Sequence, residues 1–166
     1  MKITTKIPGF IIRFAVEKDV QLILQFIKEL AAYEKLAHQV TTDETILYNS
    51  LFKRKAAEVI IGEYNNEAVA FALFFHNFST FLGKPGIYLE DLFVKPEYRK
   101  LGIGKTMLSY LGKLAIERNC ERVEWWCLDW NTKSIEFYKR CGAEAMDEWT
   151  VYRLTGESLE KLSDEF

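Results

Sequence analysis

The stretch from Ile87 to Leu128 constrains the fold more than any other part of the sequence. A β-rich run over Ile87–Val94 leads into a glycine-containing turn, and an apolar stripe at helical spacing runs from Gly104 to Asn119. Arg122–Leu128 is again β-rich. A strand, a helix and a strand in this order form a right-handed crossover, whose two strands lie parallel as neighbours. The stretch therefore predicts a parallel pair of strands within a larger sheet.

The rest of the chain adds hairpin strands before this crossover and further helices. Strands are predicted over Phe10–Phe14, Glu58–Tyr64, Ala68–Phe78 and Glu148–Leu154. Helices are predicted from Val20 to about Leu36, after Thr42 or Asp43, from Asn131 to Gly142, and over Ser158–Phe166. Asn65-Asn66-Glu67 has the composition of a hairpin turn. The order β-α-α-β-β-β-α-β-α-β predicts an α/β fold with a mixed, mostly antiparallel sheet and helices on both faces.

Composition narrows the class of protein. The 166 residues fit a single domain, which we predict over residues 1–166. A net charge of −2 argues against a nucleic-acid binder. No apolar run approaches the roughly 20 residues that span a bilayer, so no membrane partner is expected. Three cysteines without a C-x-x-C pair, and only two histidines, indicate neither a disulfide framework nor a metal site. We expect a reducing cytoplasm as the compartment.

The turn before the central helix carries the most specific chemical signal. Its residues are Arg99, Lys100, Leu101, Gly102, Ile103, Gly104 and Lys105. Glycines allow close approach of the backbone to a ligand, and the free N–H groups of a helix start favour an anion. A dinucleotide fingerprint would need a glycine at Met107, and a Walker loop would need one at Arg99, so both patterns fail. A tight turn without a ligand remains the alternative to a pyrophosphate clamp.

Several further segments resemble one family. The turn follows the pattern R-x-x-G-x-G, and Tyr88-Leu-Glu-Asp-Leu-Phe-Val94, Asn131 and Ile135-Glu-Phe-Tyr-Lys-Arg140 stand in order around it. Together they resemble the GNAT N-acetyltransferases, and in particular the diamine and thialysine acetyltransferase branch. The resemblance implies the GNAT fold, acetyl-CoA as co-substrate, and a homodimer. It also implies that the Ile87–Val94 strand is bulged and splays from its parallel neighbour.

The resemblance also assigns residues to the acetyl-CoA site. Backbone groups of Leu92, Phe93 and Val94 would bind the pantetheine arm, and backbone amides from Lys100 to Lys105 would hold the pyrophosphate. Asn131 can cap its helix, and by resemblance its side chain also contacts the cofactor.

Ser134 and Tyr138 lie on one face of the same helix and would face acetyl-CoA. Tyr138 is the predicted acid that protonates the departing thiolate, the alternative being a core aromatic with a satisfied hydroxyl.

The acceptor side is expected to be acidic and aromatic. The resemblance implicates Glu90 as the base or as a substrate ligand, and Asp91 as a weaker substrate contact. Glu90 and Asp91 are consecutive on a strand, so their side chains should point to opposite faces and cannot both act at one spot. Two ordinary solvated acids are the alternative. Glu34 would attract a cationic amine, Tyr33 would line its pocket, and Trp126 is a further candidate contact.

The acceptor itself is expected to be a small primary amine. The loop from Asn77 to Leu82 lacks the acid usual in the diamine branch, so a lysine analogue is at least as good a candidate as spermidine. A peptide acetyltransferase and a non-catalytic acyl-CoA-binding module are the alternatives.

Overall fold

The protein is described by a computed structural model that covers residues 2–166. Its six strands are β1 (Lys2–Thr4), β2 (Phe10–Phe14), β3 (Glu58–Tyr64), β4 (Glu67–Ser79), β5 (Lys84–Val94) and β6 (Val123–Glu124). Its α-helices are α1 (Val20–Tyr33), α2 (Glu44–Tyr48), α3 (Ile103–Glu117), α4 (Thr132–Arg140) and α5 (Glu157–Ser163). A π-helical turn over Asn49–Lys53 continues α2.

The chain divides into two compact units. The first extends to Trp126 and contains the six strands with α1, α2 and α3. The second, Cys127–Phe166, contains α4 and α5. The single domain predicted over residues 1–166 therefore stays a prediction.

The six strands of the first unit form one mixed sheet in the order β1-β2-β3-β4-β5-β6. Neighbouring strands are antiparallel from β1 to β5, and β5 and β6 are parallel. The parallel pair predicted from the crossover is thereby confirmed. The hairpin between β3 and β4 is confirmed as well, because Asn65 and Asn66 both have the positive φ that a tight two-residue turn requires.

Helices cover both faces of this sheet, as predicted. On one face, α3 buries Ile103, Met107 and Leu111 against strand residues that include Phe74 and Leu89. On the other face, α1 buries Ile23 and Phe26 against residues that include Phe71 and Phe93. The rings of Phe26 and Phe71 stack with their centroids 5.2 Å apart. We call these two sides the α3 face and the α1 face.

A bulge at Glu90 changes which side chains of β5 point to each face. Leu73 pairs with Asp91 and Phe74 pairs with Leu89, so the register passes over Glu90. Ile87 and Leu89 contribute to the α3 face before the bulge, whereas Phe93 lies on the α1 face after it. A regular strand would place these odd-numbered residues together. The one extra residue therefore moves Asp91 to the α1 face.

The structure corrects several predicted boundaries. Strand β1 was not predicted, and α1 ends at Tyr33 rather than near Leu36. The helix stops because Lys35 adopts a left-handed φ of 62° and Leu36 N–H donates back to the Ala31 carbonyl oxygen. This is the geometry of a Schellman cap on a residue other than glycine.

Two strand predictions are wrong: one strand is much shorter than expected, and the other is not formed in the described residues. The strand expected over Arg122–Leu128 shrinks to β6, because continued parallel pairing would bring Trp126 opposite the bulged Glu90. The strand expected over Glu148–Leu154 is not a strand in the described residues. Its β-rich composition does not suffice, because a strand needs a partner to complete its backbone hydrogen bonds.

Candidate functional site

Three acidic residues interact near the bulge of β5. Asp91 is partly buried on the α1 face, Glu90 is exposed, and Glu34 follows the last residue of α1. The pKa of Asp91 is raised from 3.8 to about 7, mainly by burial and in addition by the negative charges of Glu90 and Glu34. Burial also raises the pKa of Glu34. The cluster therefore contains a carboxyl group that exchanges its proton near neutral pH.

The bulge removes the basis for the prediction that the Glu90 and Asp91 side chains point to opposite faces. Opposite orientation was inferred from regular alternation, and alternation is broken at Glu90. The charge of Glu90 acts on Asp91, so the two carboxyl groups are electrostatically coupled. The sequence ranked Asp91 below Glu90, whereas the structure shows that burial and two neighbouring charges raise the pKa of Asp91.

Three aromatic rings form a row across β4, β5 and the residues after β6. The Phe75 and Tyr88 ring centroids are 5.0 Å apart, and the Tyr88 and Trp126 centroids are 5.8 Å apart in an edge-to-face arrangement. Trp126 is half exposed, while its neighbour Trp125 packs against the core of the α3 face. Phe75 and Tyr88 were missed as site candidates, although Tyr88 begins the family-like segment.

The open edge of β5 lies beyond this row. The parallel ladder joins Ile87 to Val123 and Tyr88 to Glu124. Leu92, Phe93 and Val94 follow after the bulge, further along β5 than this short ladder. An extended ligand can pair with backbone groups at such an edge. The predicted backbone contacts of these three residues to pantetheine stay a prediction.

The turn after β5 has a backbone suited to an anion. Lys100 and Gly102 have φ values of 68° and 81°, and Gly102 is the N-cap of α3. The first helical hydrogen bond runs from Thr106 N–H to the Gly102 carbonyl oxygen. The amides of Ile103, Gly104 and Lys105 therefore precede the first helical donor, as at every α-helix start. Helix dipole and lysine charge both favour an anion here.

Arg99 does not extend freely from this turn. Its Nε donates a hydrogen bond to the Val94 carbonyl oxygen at 3.0 Å. Its guanidinium carbon lies 4.5 Å from the centroid of the Tyr33 ring and 5.7 Å from that of Phe93. Arg99 and Tyr33 were predicted to serve different ligands, and the structure brings them into direct contact. No sequence pattern connects them, because they lie on separate elements.

The second unit contains the remaining predicted site residues. The Asn131 side chain accepts a hydrogen bond from Ser134 N–H at 3.4 Å, which confirms its role as the N-cap of α4. Ser134 and Tyr138 both lie on α4, and the Tyr138 ring is 5.2 Å from that of Phe137. Gly142 stands at the predicted end of this helix, after the C-cap Cys141, and its φ of 89° is left-handed. Roles of these residues toward acetyl-CoA stay predictions.

Within residues 2–166, no three His, Cys, Asp or Glu side chains are grouped so that they could hold a metal ion. Over the same residues, no helix has the combined length and apolar character that crossing a membrane demands.

The fold has a solved counterpart. An integron cassette protein from the mobile metagenome of V. cholerae superimposes with a TM-score of 0.79 at 26% identity. The match covers 93% of this chain and 98% of that protein. The mixed sheet with helices on both faces, which the sequence predicted, is therefore also the fold of a solved protein.

The family follows from the sequence comparisons. The model of the acetyltransferase (GNAT) family matches residues 23–143, and the chain belongs to this family of N-acetyltransferases. A thialysine N-epsilon-acetyltransferase of Sus scrofa is 37% identical over 165 residues, covering 92% of this chain and 96% of that protein. The L-ornithine N5-acetyltransferase NATA1 of Arabidopsis thaliana is 29% identical over 197 residues, covering 91% and 86%. The predicted family and branch are confirmed.

Proposed function

We propose that this enzyme transfers the acetyl group of acetyl-CoA to a terminal primary amine of a small cationic substrate. The amine attacks the acetyl carbon directly, the thioester bond breaks, and the amine loses a proton. The observation that carries the proposal is the acidic cluster of Asp91, Glu90 and Glu34 beside the open edge of β5. Such a cluster attracts an ammonium ion and holds a site that can accept its proton.

The raised pKa of Asp91 suits it to proton transfer. A lysine-like ammonium ordinarily has a pKa near 10.4, and an ordinary aspartate near 3.9. With the pKa of Asp91 at about 7, proton transfer from that ammonium is less uphill by about 4 kcal/mol, at about 1.4 kcal/mol per pKa unit. We therefore assign the proton-accepting role to Asp91 and ammonium binding to Glu90 and Glu34. Glu90, the base expected from the resemblance, remains the second candidate.

Acetyl-CoA fits the turn and the strand edge before α3. The left-handed backbone at Lys100 and Gly102 and the helix start provide amides for the pyrophosphate. Leu92, Phe93 and Val94 offer backbone groups for the pantetheine arm. Acetyl-CoA supplies an acetyl group activated as a thioester, and no metal is required for that chemistry.

Tyr138 is the proposed acid that returns a proton to the CoA sulfur as the thioester breaks. Its position on a helix capped by Asn131, with Ser134 one turn earlier, supports a shared orientation toward one ligand. Asn131 and Ser134 are the proposed polar contacts to the cofactor from this helix. Replacing Tyr138 with phenylalanine removes only the hydroxyl, and we expect a loss of turnover well beyond a few-fold.

A lysine-like amino acid is the acceptor that we favour. Two similar proteins are named for ornithine and thialysine, which are amino acids with a terminal amine. The end of β4 and the loop after it carry exposed Phe78, Phe81 and Leu82 rather than acids. A second distant ammonium, as in spermidine, has no acid in this loop to pair with. The row of Phe75, Tyr88 and Trp126 offers apolar surface for the methylene chain.

We further propose a homodimer in a cytoplasmic setting. Within the second unit, Trp149, Tyr152 and Leu154 are exposed by 69%, 91% and 52%. Large exposed apolar side chains in sequence proximity are typical of a surface that a partner covers. Light scattering coupled to size-exclusion chromatography measures the mass directly, and a monomeric mass at high concentration would contradict the dimer.

One assay tests the proposed function as a whole. Thiol release from acetyl-CoA is measured with L-ornithine, L-lysine, thialysine, putrescine, spermidine, spermine and an acetylatable peptide. We expect the highest kcat/KM for an amino acid with a terminal amine. A highest kcat/KM for spermidine or spermine refutes the acceptor assignment, and activity on the peptide alone favours a peptide acetyltransferase. Acetyl-CoA binding without thiol release for any amine favours a non-catalytic module.

The pH dependence of kcat/KM in two variants distinguishes Asp91 from Glu90 as the proton acceptor. In wild type, kcat/KM should fall as the pH drops through the pKa of Asp91 near 7. Asp91→Asn should abolish this limb along with most activity. Glu90→Gln should raise the KM for the amine and keep the limb. The opposite pattern assigns the base to Glu90.

A further inference from the structure

Arg99 joins three parts of the molecule through one side chain. It begins the turn that leads to α3, its Nε bonds to the Val94 carbonyl oxygen at the end of β5, and its guanidinium stacks on Tyr33 at the end of α1. The same guanidinium carbon lies 5.7 Å from the Phe93 ring centroid. These contacts connect the proposed acetyl-CoA clamp with the helix end that carries Glu34.

The geometry of these contacts is specific to arginine. A planar guanidinium can cover an aromatic face while an N–H group in its plane donates a hydrogen bond. A lysine ammonium has the same charge but lacks the planar fork, so it cannot form both contacts in the same way. Arg99 therefore uses its shape as well as its charge.

Tyr33 is the residue immediately before Glu34. Glu34 is the C-cap of α1, and its N–H donates to the Leu30 carbonyl oxygen. The stack of Arg99 on Tyr33 and the bond of Arg99 to Val94 join this helix end to the end of β5. The charged groups that act on Asp91 are Glu90 on its own strand and Glu34 on α1. The distance from Glu34 to Asp91 therefore depends on where the helix end is held.

We propose that Arg99 is a positioning residue that holds Glu34 beside Asp91 by stacking on Tyr33 while it is bound to the Val94 carbonyl. The charged side chain thus organises the acceptor site from within the acetyl-CoA turn. Its importance for turnover rests on the function proposed above, whereas its effect on Asp91 does not.

The direction in which the pKa of Asp91 shifts when Arg99 is replaced distinguishes a positioning role of Arg99 from a direct effect of its charge. Removing a cation near a carboxyl group raises the pKa of that carboxyl, because its anion loses a favourable partner. Releasing Glu34 from its place lowers the pKa of Asp91, because a repelling anion moves away. The two explanations therefore predict opposite shifts.

The experiment follows the Asp91 carboxyl by ¹³C NMR titration in the intact protein without any substrate. Glu34→Gln gives the full downward shift that loss of the Glu34 charge causes. We expect Arg99→Gln and Tyr33→Leu to shift the pKa in the same direction, by no more than Glu34→Gln. Tyr33→Phe keeps the ring that Arg99 covers, so its shift should be smaller than that of Tyr33→Leu. Arg99→Lys should shift the pKa of Asp91 about as much as Arg99→Gln does, because lysine keeps the charge but not the planar guanidinium.

An unchanged or raised pKa in both Arg99→Gln and Tyr33→Leu overturns the proposal. If Arg99→Gln fails to fold, Tyr33→Leu decides the question alone, since it breaks the same stack from the other side. Kinetics provide the second readout. The KM for L-ornithine should rise in both variants. If the wild-type protein acetylates none of the amines, the proposed function is refuted. The titration still tests the positioning role of Arg99, because it uses no substrate.

Discussion

Replacing Asp91 with asparagine should stabilise the folded protein at pH 8 while it lowers acetyl transfer. The pKa of this carboxyl is about 7 in the folded protein and about 3.9 in an unfolded chain. The folded state therefore binds the proton more tightly. Ionising Asp91 costs folding stability that is absent below about pH 4, grows as the pH rises, and is complete above about pH 7.

The size of the effect follows from the two pKa values. A rise from 3.8 to about 7 corresponds to about 4 kcal/mol, at about 1.4 kcal/mol per pKa unit. Asparagine has nearly the same shape and carries no charge. Because Asp91 is only partly buried, we expect Asp91→Asn to raise the free energy of unfolding by about 2–4 kcal/mol at pH 8. At pH 5 the gain should be about 1–2 kcal/mol.

Urea unfolding at pH 5 and pH 8 measures this difference for wild type and Asp91→Asn. Asp147→Asn is the matched control, since Asp147 is exposed in the second unit and its free energy should change little at either pH. A gain from Asp91→Asn that is equal at both values of pH would show that Asp91 has no raised pKa. Loss of stability at pH 8 would refute the reasoning altogether.

Two further predictions concern the scaffold that holds the site. Gly62→Ala should lower the free energy of unfolding by about 1–3 kcal/mol, because its Cβ would lie 2.6 Å from Cζ of the buried Phe10 ring. Gly112→Ala is the control, because a Cβ at this position of α3 meets nothing within 4 Å. It should raise the free energy of unfolding by up to about 1 kcal/mol. Urea unfolding midpoints that rank Gly112→Ala below Gly62→Ala would contradict the close contact at Gly62. Arg13→Met should lower the free energy of unfolding by about 3–5 kcal/mol, because the buried Asp19 carboxylate loses hydrogen bonds of 2.7 and 2.9 Å. A loss below about 1 kcal/mol in urea unfolding would mean that this ion pair contributes little to stability.

The sequence alone determined the features that depend on neighbouring residues. The crossover from β5 through α3 to β6 followed from periodicity, and the hairpin at Asn65-Asn66 followed from turn composition. Asn131 was identified as a helix cap because capping acts within three residues. The acetyltransferase family followed from short motifs in a fixed order, which the family comparison confirms.

Other features appear only when separate elements pack together. The strand expected over Glu148–Leu154 failed because composition cannot supply a pairing partner. Likewise, β6 is short because the neighbouring strand bulges, and the bulge shows only in the register between β4 and β5.

The acidic cluster illustrates the same limit at the site itself. The sequence identified Glu34, Glu90 and Asp91 as acids but ranked Glu90 above Asp91. The pKa of Asp91 depends on burial and on the charge of Glu34, which reaches it from another element. The contact of Arg99 with Tyr33 likewise joins the end of α1 to the turn before α3. Burial and charge act through space, so the tertiary structure alone decided that the pKa of Asp91 lies near neutral pH.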